Sequence, residues 1–267
     1  MALHGLRSVS TDGLYTWENL AYVDGSENPK HVLDVYTPGG SSDFPRPLSP
    51  IVLWVHGGGW RRGGKDGIIR SAGAACARAG LVGVVQNYRL YPEGTYLDSI
   101  ADISACLRWL QANAAMFGGD PSKIVLCGHS AGAHLVCLGV ALPQVKMPKV
   151  AGVVGVSGVY NIPRLEASNP ASRELLVTPV FGNDPQLWTE VSPCHYTGPN
   201  SPLRRVPVLL ANAAADFHLG EDGEELAAGL GVPHITVPGR NHFSIVTSIG
   251  EEGDAFTAAL LDFVRSQ

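Results

Sequence analysis

The chain has 267 residues, 45% of them apolar and 16% charged, with a formal net charge of -5. That balance supplies a core, and it excludes both an intrinsically disordered chain and the basic footprint of a nucleic-acid binder. Five cysteines without a CxxC pair (Cys76, Cys106, Cys127, Cys137, Cys194) cannot all close into disulfides, no apolar run is long enough for a membrane span, and Met1 to Ser10 lacks the apolar segment of a secretory leader, so a cytoplasmic protein is expected.

Taken in chain order, His31 to Tyr36 and Ile51 to Val55 read as strands, Ile68 to Arg78 as a helix and Leu81 to Gln86 as a strand. The helix Ser99 to Phe117 has Ile100, Ile103, Leu107, Leu110 and Ala114 at 3-4-3-4 spacing, which buries one face. Then follow a strand at Lys123 to Cys127, a helix at Ala131 to Leu142, strands at Val150 to Val156 and Val206 to Leu210, a helix at Glu221 to Leu230, a strand at His234 to Val237 and a helix at Asp254 to Arg265. Gly80, Gly118-Gly119 and Gly231 stand where helix C-caps belong. The alternation predicts an α/β fold as one domain over residues 1–267, a mainly parallel sheet of about eight strands with helices on both faces. Two stretches break the rhythm: Thr37 to Pro50, dense in Pro, Gly and Ser, reads as a loop, and Tyr160 to Pro202 as an insert of the kind that forms lids or caps.

The segment Lys123-Ile-Val-Leu-Cys-Gly-His-Ser130-Ala-Gly132 carries a strand through G-x-S-x-G into a helix, the context in which that motif presents its serine on a sharp turn. In this composition the bare pattern arises by chance roughly 0.3 times per chain, whereas His56-Gly57-Gly58-Gly59, directly after a strand, arises on the order of 0.015 times. The second motif therefore carries more weight. Negative charge developing on a carbonyl oxygen is met best by fixed backbone N–H groups. Those of Gly58, Gly59 and Ala131 are the expected donors. His56 ends its strand and is expected to hold the loop by hydrogen bonding.

A serine hydroxyl becomes a nucleophile only beside a base. With the serine first in the chain, the acid should follow a later strand and the histidine the last one. Asp216 and His242 occupy those places. Asp216 would fix the tautomer of His242 so that Nε2 faces Ser130. The competing acids Glu221 and Asp222 open the next helix and read as N-terminal helix charges. Among the competing histidines His129, His134, His195 and His218, none closes the final strand. His129 and His134 are expected to point away from the serine as packing or hydrogen-bonding residues. No HExxH set, P-loop or GxGxxG fingerprint follows a strand, so neither metal nor cofactor is implied.

The stretches HVLDVYTP (His31 to Pro38), VHGGGW (Val55 to Trp60), NYRLYPEG (Asn87 to Gly94), DISACLRWL (Asp102 to Leu110), GHSAGAHL (Gly128 to Leu135) and FGNDPQLWTEVSP (Phe181 to Pro193) resemble the HGGG-type esterases of the α/β-hydrolase superfamily, the group related to hormone-sensitive lipase. GHSAGAHL and GRNHFSIV (Gly239 to Val246) are similar to the kynurenine formamidase (arylformamidase) branch and its feruloyl-esterase-like bacterial relatives, while Gly59 follows the general esterase pattern. The resemblance implies the α/β-hydrolase fold, acyl transfer to Ser130 and hydrolysis by a water that His242 activates. The leading expectation is a carboxylesterase for a small-molecule ester. The alternative is an arylformamidase acting on a formamide such as N-formylkynurenine. A non-catalytic ligand-binding member of the fold is a third reading, against which the retention of Ser130, Asp216 and His242 argues. Trp60, Tyr91 and His129 are candidate substrate-binding residues, core packing serving the two aromatics equally well, and a homodimer stays open.

Overall fold

The computed structural model describes residues 6–11, 13–38, 47–168 and 170–267. The chain opens with β1 (Leu6–Val9), β2 (Tyr15–Ala21), β3 (Val32–Thr37) and β4 (Ser49–Val55), followed by α1 (Ile69–Arg78), β5 (Val82–Gln86), α2 (Tyr96–Asn113), β6 (Gly119–His129), α3 (Ala131–Ala141) and β7 (Gly152–Val156). Next come the short helices α4 (Ile162–Ser168), α5 (Pro170–Ser172), α6 (Thr178–Phe181) and α7 (Pro185–Glu190), with a π-helical turn at Arg173–Val177 between α5 and α6. The chain closes with β8 (Val208–Ala215), α8 (Gly220–Leu230), β9 (His234–Asn241), α9 (Ser244–Thr247) and α10 (Ala255–Arg265).

Among the described residues one nine-stranded sheet forms in the order β1-β2-β3-β5-β4-β6-β7-β8-β9. Pairing is antiparallel from β1 through β3 to β5 and parallel from β5 across to β9. The central strands are apolar along their length because both faces are covered; Ile51, Val52, Leu53, Trp54 and Val55 are all fully buried. Alternate side chains enter different cores. Leu53, Val55 and Leu126 pack under α2, α3 and α8, whereas Val52, Trp54, Val125 and Cys127 pack under α1 and α10. Burying each such side chain contributes about 1.5 to 3 kcal/mol before the entropy of ordering is counted.

The sheet has two strands beyond the seven read individually from the sequence, because the pattern of apolar runs does not reveal β1 and β2. β2 reads Tyr-Thr-Trp-Glu-Asn-Leu-Ala, and its register against β3 shifts between Trp17 and Leu20, where Asn19 takes φ of +59°. A bulge of that kind destroys the period-2 alternation. The helix expected from Ser99 begins at Tyr96, since Thr95 accepts from Asp98 N and Asp98 accepts from Thr95 N in a capping box. It ends at Asn113 and tightens into a 3-10 turn over Ala114–Phe117. β8 and β9 run on to Ala215 and Asn241, beyond the expected ends at Leu210 and Val237. Of the expected Thr37 to Pro50 loop, residues 39–46 lie outside the described residues, and Thr37, Ser49 and Pro50 belong to strands. The first five residues of the Met1 to Ser10 reading lie outside them too. No helix among the described residues is long and apolar enough to cross a membrane, and all five cysteines are free thiols.

Candidate active site

The parallel strands end at one edge of the sheet, with Val55 aligned to Gly128, His129 to Val156, Val156 to Ala211 and Ala215 to Asn241. The residue after each strand therefore emerges on the same side: His56 after β4, Ser130 after β6, Ser157 after β7, Asp216 after β8 and His242 after β9. Ligands of parallel α/β sheets bind outside these carboxyl ends. Ser130, Asp216 and His242, spread over more than a hundred positions of the chain, thus emerge at one edge of the sheet through strand ends alone.

Ser130 sits between β6 and α3 with φ of +55° and ψ of -123°, a region that a non-glycine residue occupies only under strain. Its N–H is tied to Val156 O at 2.9 Å and its carbonyl to His134 N at 3.1 Å, which hold the reversal in place. The turn also requires α3 to press against β4. A β-carbon on Gly132 would lie 2.2 Å from Val55 O and 2.5 Å from His56 O, so only glycine allows this approach.

His242 Nδ1 lies 2.6 Å from Asp216 Oδ1, and both side chains are buried. The second oxygen of Asp216 accepts from Asn212 Nδ2 at 2.8 Å and from Ala213 N at 3.3 Å. Asn212 is oriented in turn by His234 Nε2, 3.0 Å from its Oδ1. Burial works to raise the Asp216 carboxyl, but the side chains of His242, Ser157 and Asn212 outweigh it and hold the group below its ordinary value. An ionised acceptor on Nδ1 leaves Nε2 of His242 as the ring nitrogen free for chemistry. The rival acids stand elsewhere. Asp222 accepts from Tyr160 N, Asn161 N and Arg164 Nη1, and Glu221 lies beside the same Arg164.

The glycine loop faces this pair across Ser130. Gly58 and Gly59 have φ of +119° and +59°, and a β-carbon on Gly58 would lie 2.2 Å from Arg62 O. The carbonyl of Gly58 accepts from Arg61 N and Arg62 N. Ala131 begins α3, where a backbone N–H has no intrahelical acceptor. Three aromatic residues anchor the loop from behind. His56 binds Gly57 O through Nδ1 at 2.7 Å and stacks on Tyr88 at 4.3 Å, the tie expected of it, while Tyr88 donates to His56 O at 2.7 Å. Trp60 donates from Nε1 to His134 Nδ1 at 3.1 Å. Because indole is only a donor, His134 carries its proton on Nε2 and donates it to Val191 O at 2.8 Å. Burial lowers His56 and His134 to about 4, so both stay neutral.

These groups line one cavity of about 710 Å³. His56, Gly58, Gly59, Trp60, His129, Ser130, Ala131 and His242 all contribute to it. Asp216 stands behind His242. Of the three candidate substrate-binding residues, Trp60 is in the lining yet almost wholly buried, so it acts chiefly as a wall support. Tyr91 stands outside the lining. Its N–H binds Trp60 O, and Arg61 lies over its ring at 5.9 Å. His129, expected to point away, turns toward the site, its ring 4.7 Å from that of His242 and its Nε2 2.8 Å from His242 O. The left-handed turn at Ser130 brings the end of β6 under the His242 loop. Burial, reinforced by the neighbouring His242, lowers His129 to about 3, so it too is neutral.

Sequence reasoning missed Leu176, Phe217 and Phe243, which share the lining. For the two phenylalanines a signal was present, since each directly follows the acid or the histidine. Among the described residues no group of three or more His, Cys, Asp or Glu is placed to hold a metal ion. The arrangement can activate a hydroxyl, stabilise an oxyanion and return a proton to a leaving group, which together are the requirements of acyl transfer.

Comparison with protein families matches residues 33–220 to the family described as BD-FAE. Carboxylesterase NlhH of Mycobacterium tuberculosis is 45% identical over 86 residues, covering 32% of this chain and 27% of that protein. Isoprenylcysteine alpha-carbonyl methylesterase ICME of Arabidopsis thaliana is 32% identical over 150 residues, covering 52% of this chain and 34% of that protein. The chain thus spans only about a third or less of the length of these curated relatives. Among solved structures, esterase B of Lactobacillus rhamnosis, inhibited by a tributyrin phosphonate, superposes with a TM-score of 0.80 at 22% identity, covering 97% of this chain and 87% of that one. The shared architecture is the α/β-hydrolase fold.

Proposed function

The chain belongs to the BD-FAE family, and from that premise we propose that it is a serine carboxylesterase acting on small uncharged esters through an acyl-enzyme on Ser130. The observation that carries this reading is the Asp216–His242 pair, joined at 2.6 Å, opening into the same cavity as Ser130 and the glycine loop. Ser130 Oγ attacks the ester carbonyl carbon as its proton passes to His242 Nε2. The N–H groups of Gly58, Gly59 and Ala131 receive the charge that develops on the carbonyl oxygen. When the tetrahedral intermediate collapses, the bond to the alcohol oxygen breaks and His242 protonates the departing alcohol. A water then gives a proton to His242 and attacks the acyl carbon, the bond to Ser130 Oγ breaks, and His242 returns the proton to Ser130 as the acid is released. Asp216 remains ionised throughout, in keeping with its depressed pKa.

The described residues form one domain, and the stretch of about 160–202 serves as its cap. Support comes from Leu165, Ser168, Ser172 and Leu176 in the cavity wall and from Arg61 Nη1, which donates to Leu175 O at 2.8 Å. Five free thiols support a reducing compartment.

Hydrolysis of p-nitrophenyl acetate and of N-formylkynurenine, measured side by side, tests the substrate class. The ester is expected to give the higher kcat/KM. A value for the formamide on the order of a hundredfold higher overturns the ester reading in favour of a formamidase. Tight binding of a ligand without turnover of either compound favours the non-catalytic reading instead.

A further inference from the structure

Phe217 and Phe243 stand at the mouth of the cavity with 66% and 54% of their surface exposed. Each follows a member of the acid-base pair, and their ring centroids lie 5.0 and 5.3 Å from that of His242. The two rings are 6.2 Å apart at 77°. Phe217 and His218 both take left-handed backbone, with φ of +46° and +64°. Two successive strained residues hold this segment in a conformation that local sterics disfavour. Two adjacent apolar rings left in water at the lining of a cavity form a surface suited to an apolar group.

The wall beside the glycine loop is aliphatic. Leu176 stands so close to Gly59 that a β-carbon there would lie 2.6 Å from its Cδ2. Val159 and Leu165 belong to the same lining. Leu176 is carried on the π-helical turn Arg173–Val177, a distortion that tends to mark functional segments.

The chemistry orients an ester between these walls. His242 must hand its proton to the leaving oxygen, so the alcohol portion lies on the imidazole side. With the carbonyl oxygen at Gly58 and Gly59, the acyl chain is left the side away from the imidazole, and the aliphatic side chain placed beside the glycine loop is Leu176. We propose that Phe217 and Phe243 hold an aromatic alcohol moiety while Leu176 limits the acid to a short aliphatic chain, so that the substrates are aryl or arylalkyl esters of short aliphatic acids. The inference rests on the esterase reading above.

The test compares kcat/KM of the full chain on benzyl butyrate, ethyl butyrate, ethyl acetate, ethyl hexanoate and ethyl benzoate. Benzyl and ethyl alcohols are leaving groups of similar basicity, so the benzyl-to-ethyl ratio reports binding. The wild-type chain is expected to prefer benzyl butyrate to ethyl butyrate, and ethyl butyrate to ethyl benzoate, by roughly tenfold each. Phe217→Ala and Phe243→Ala should collapse the benzyl-to-ethyl ratio and leave the hexanoate-to-acetate ratio in place. Leu176→Ala should raise the hexanoate-to-acetate ratio by roughly tenfold without moving the alcohol ratio. Because ratios are compared, a general loss of activity does not imitate the result. Preference for ethyl benzoate, crossed effects of the variants, or ratios that no variant moves would overturn the assignment while Ser130 still reacts with a phosphonate. Absence of ester turnover together with absence of a phosphonate adduct would sink the esterase reading itself.

Discussion

The two sides of Ser130 are built differently. The oxyanion side is closed and cross-tied: His56, Tyr88, Trp60 and His134 are each at most 3% exposed, and hydrogen bonds link the glycine loop through α3 to Val191. On the acid-base side the Asp216–His242 bond is buried, yet it is flanked by two exposed rings and by consecutive left-handed residues. Fixed dipoles must not reorganise as charge develops, so the first side gains from rigidity. The second must admit the substrate and exchange protons, which an open rim allows. Preorganisation and access are thereby assigned to different strand ends of one sheet.

The largest effect should come from the acid-base side. Asp216→Asn keeps the shape but offers the wrong group to His242 Nδ1, and kcat should fall roughly 10⁴-fold. Near-normal turnover in that variant would mean that the acid is misassigned.

Acid should loosen both sides through their buried histidines, His56 and His134 behind the glycine loop and His129 under His242. His56, His129 and His134 are neutral in the fold, lowered by burial to about 4, about 3 and about 4. As pH falls below about 6.5 the unfolded chain takes up protons that the folded chain refuses. Stability that is complete above that value should drop toward pH 4, by up to about 4 kcal/mol per pH unit near pH 5. Asp216 acts in the same direction but at lower pH. Its depressed pKa keeps its contribution intact until pH passes below the ordinary carboxylate range. Urea midpoints measured across this range should fall steeply, and a flat profile would contradict the buried neutral histidines.

A smaller loss should follow from Gly59→Ala. The new β-carbon meets Leu176 at 2.6 Å and the position needs φ of +59°, so a displaced N–H should cost about 10²- to 10³-fold in kcat. Adding Leu176→Ala separates collision from backbone strain, since only the former is relieved. Smallest is Trp60→Phe, which leaves the buried His134 Nδ1 without its donor. Stability should fall by about 1 to 3 kcal/mol, read from denaturant midpoints.

The same contrast sets what was legible in the sequence. Strands buried on both faces announce themselves as apolar runs, so β4, β6 and the two motifs that follow them could be located, and with them Ser130 and the glycine loop. Asp216 and His242 came from chain order, because each must follow a strand. The segment between β7 and β8 hid its helices, none longer than 7 residues, and a π turn shifts the helical phase by a residue. Leu176 was lost with that phase. His129 is the hydrogen-bonding residue expected, but its direction was misread because strand alternation alone does not foresee a left-handed reversal at Ser130. Phe217 and Phe243 were passed over because an exposed aromatic ring takes no part in the periodicity of a core.

The most direct measurement of the central claim is peptide mapping by mass spectrometry after treatment with a fluorophosphonate, run on the wild-type chain and on Ser130→Ala alongside ester turnover. A single adduct on Ser130, absent in the variant, with turnover reduced on the order of 10⁴-fold, is the predicted result. An adduct on another residue, or a Ser130→Ala chain that still hydrolyses the ester at a comparable rate, would contradict it.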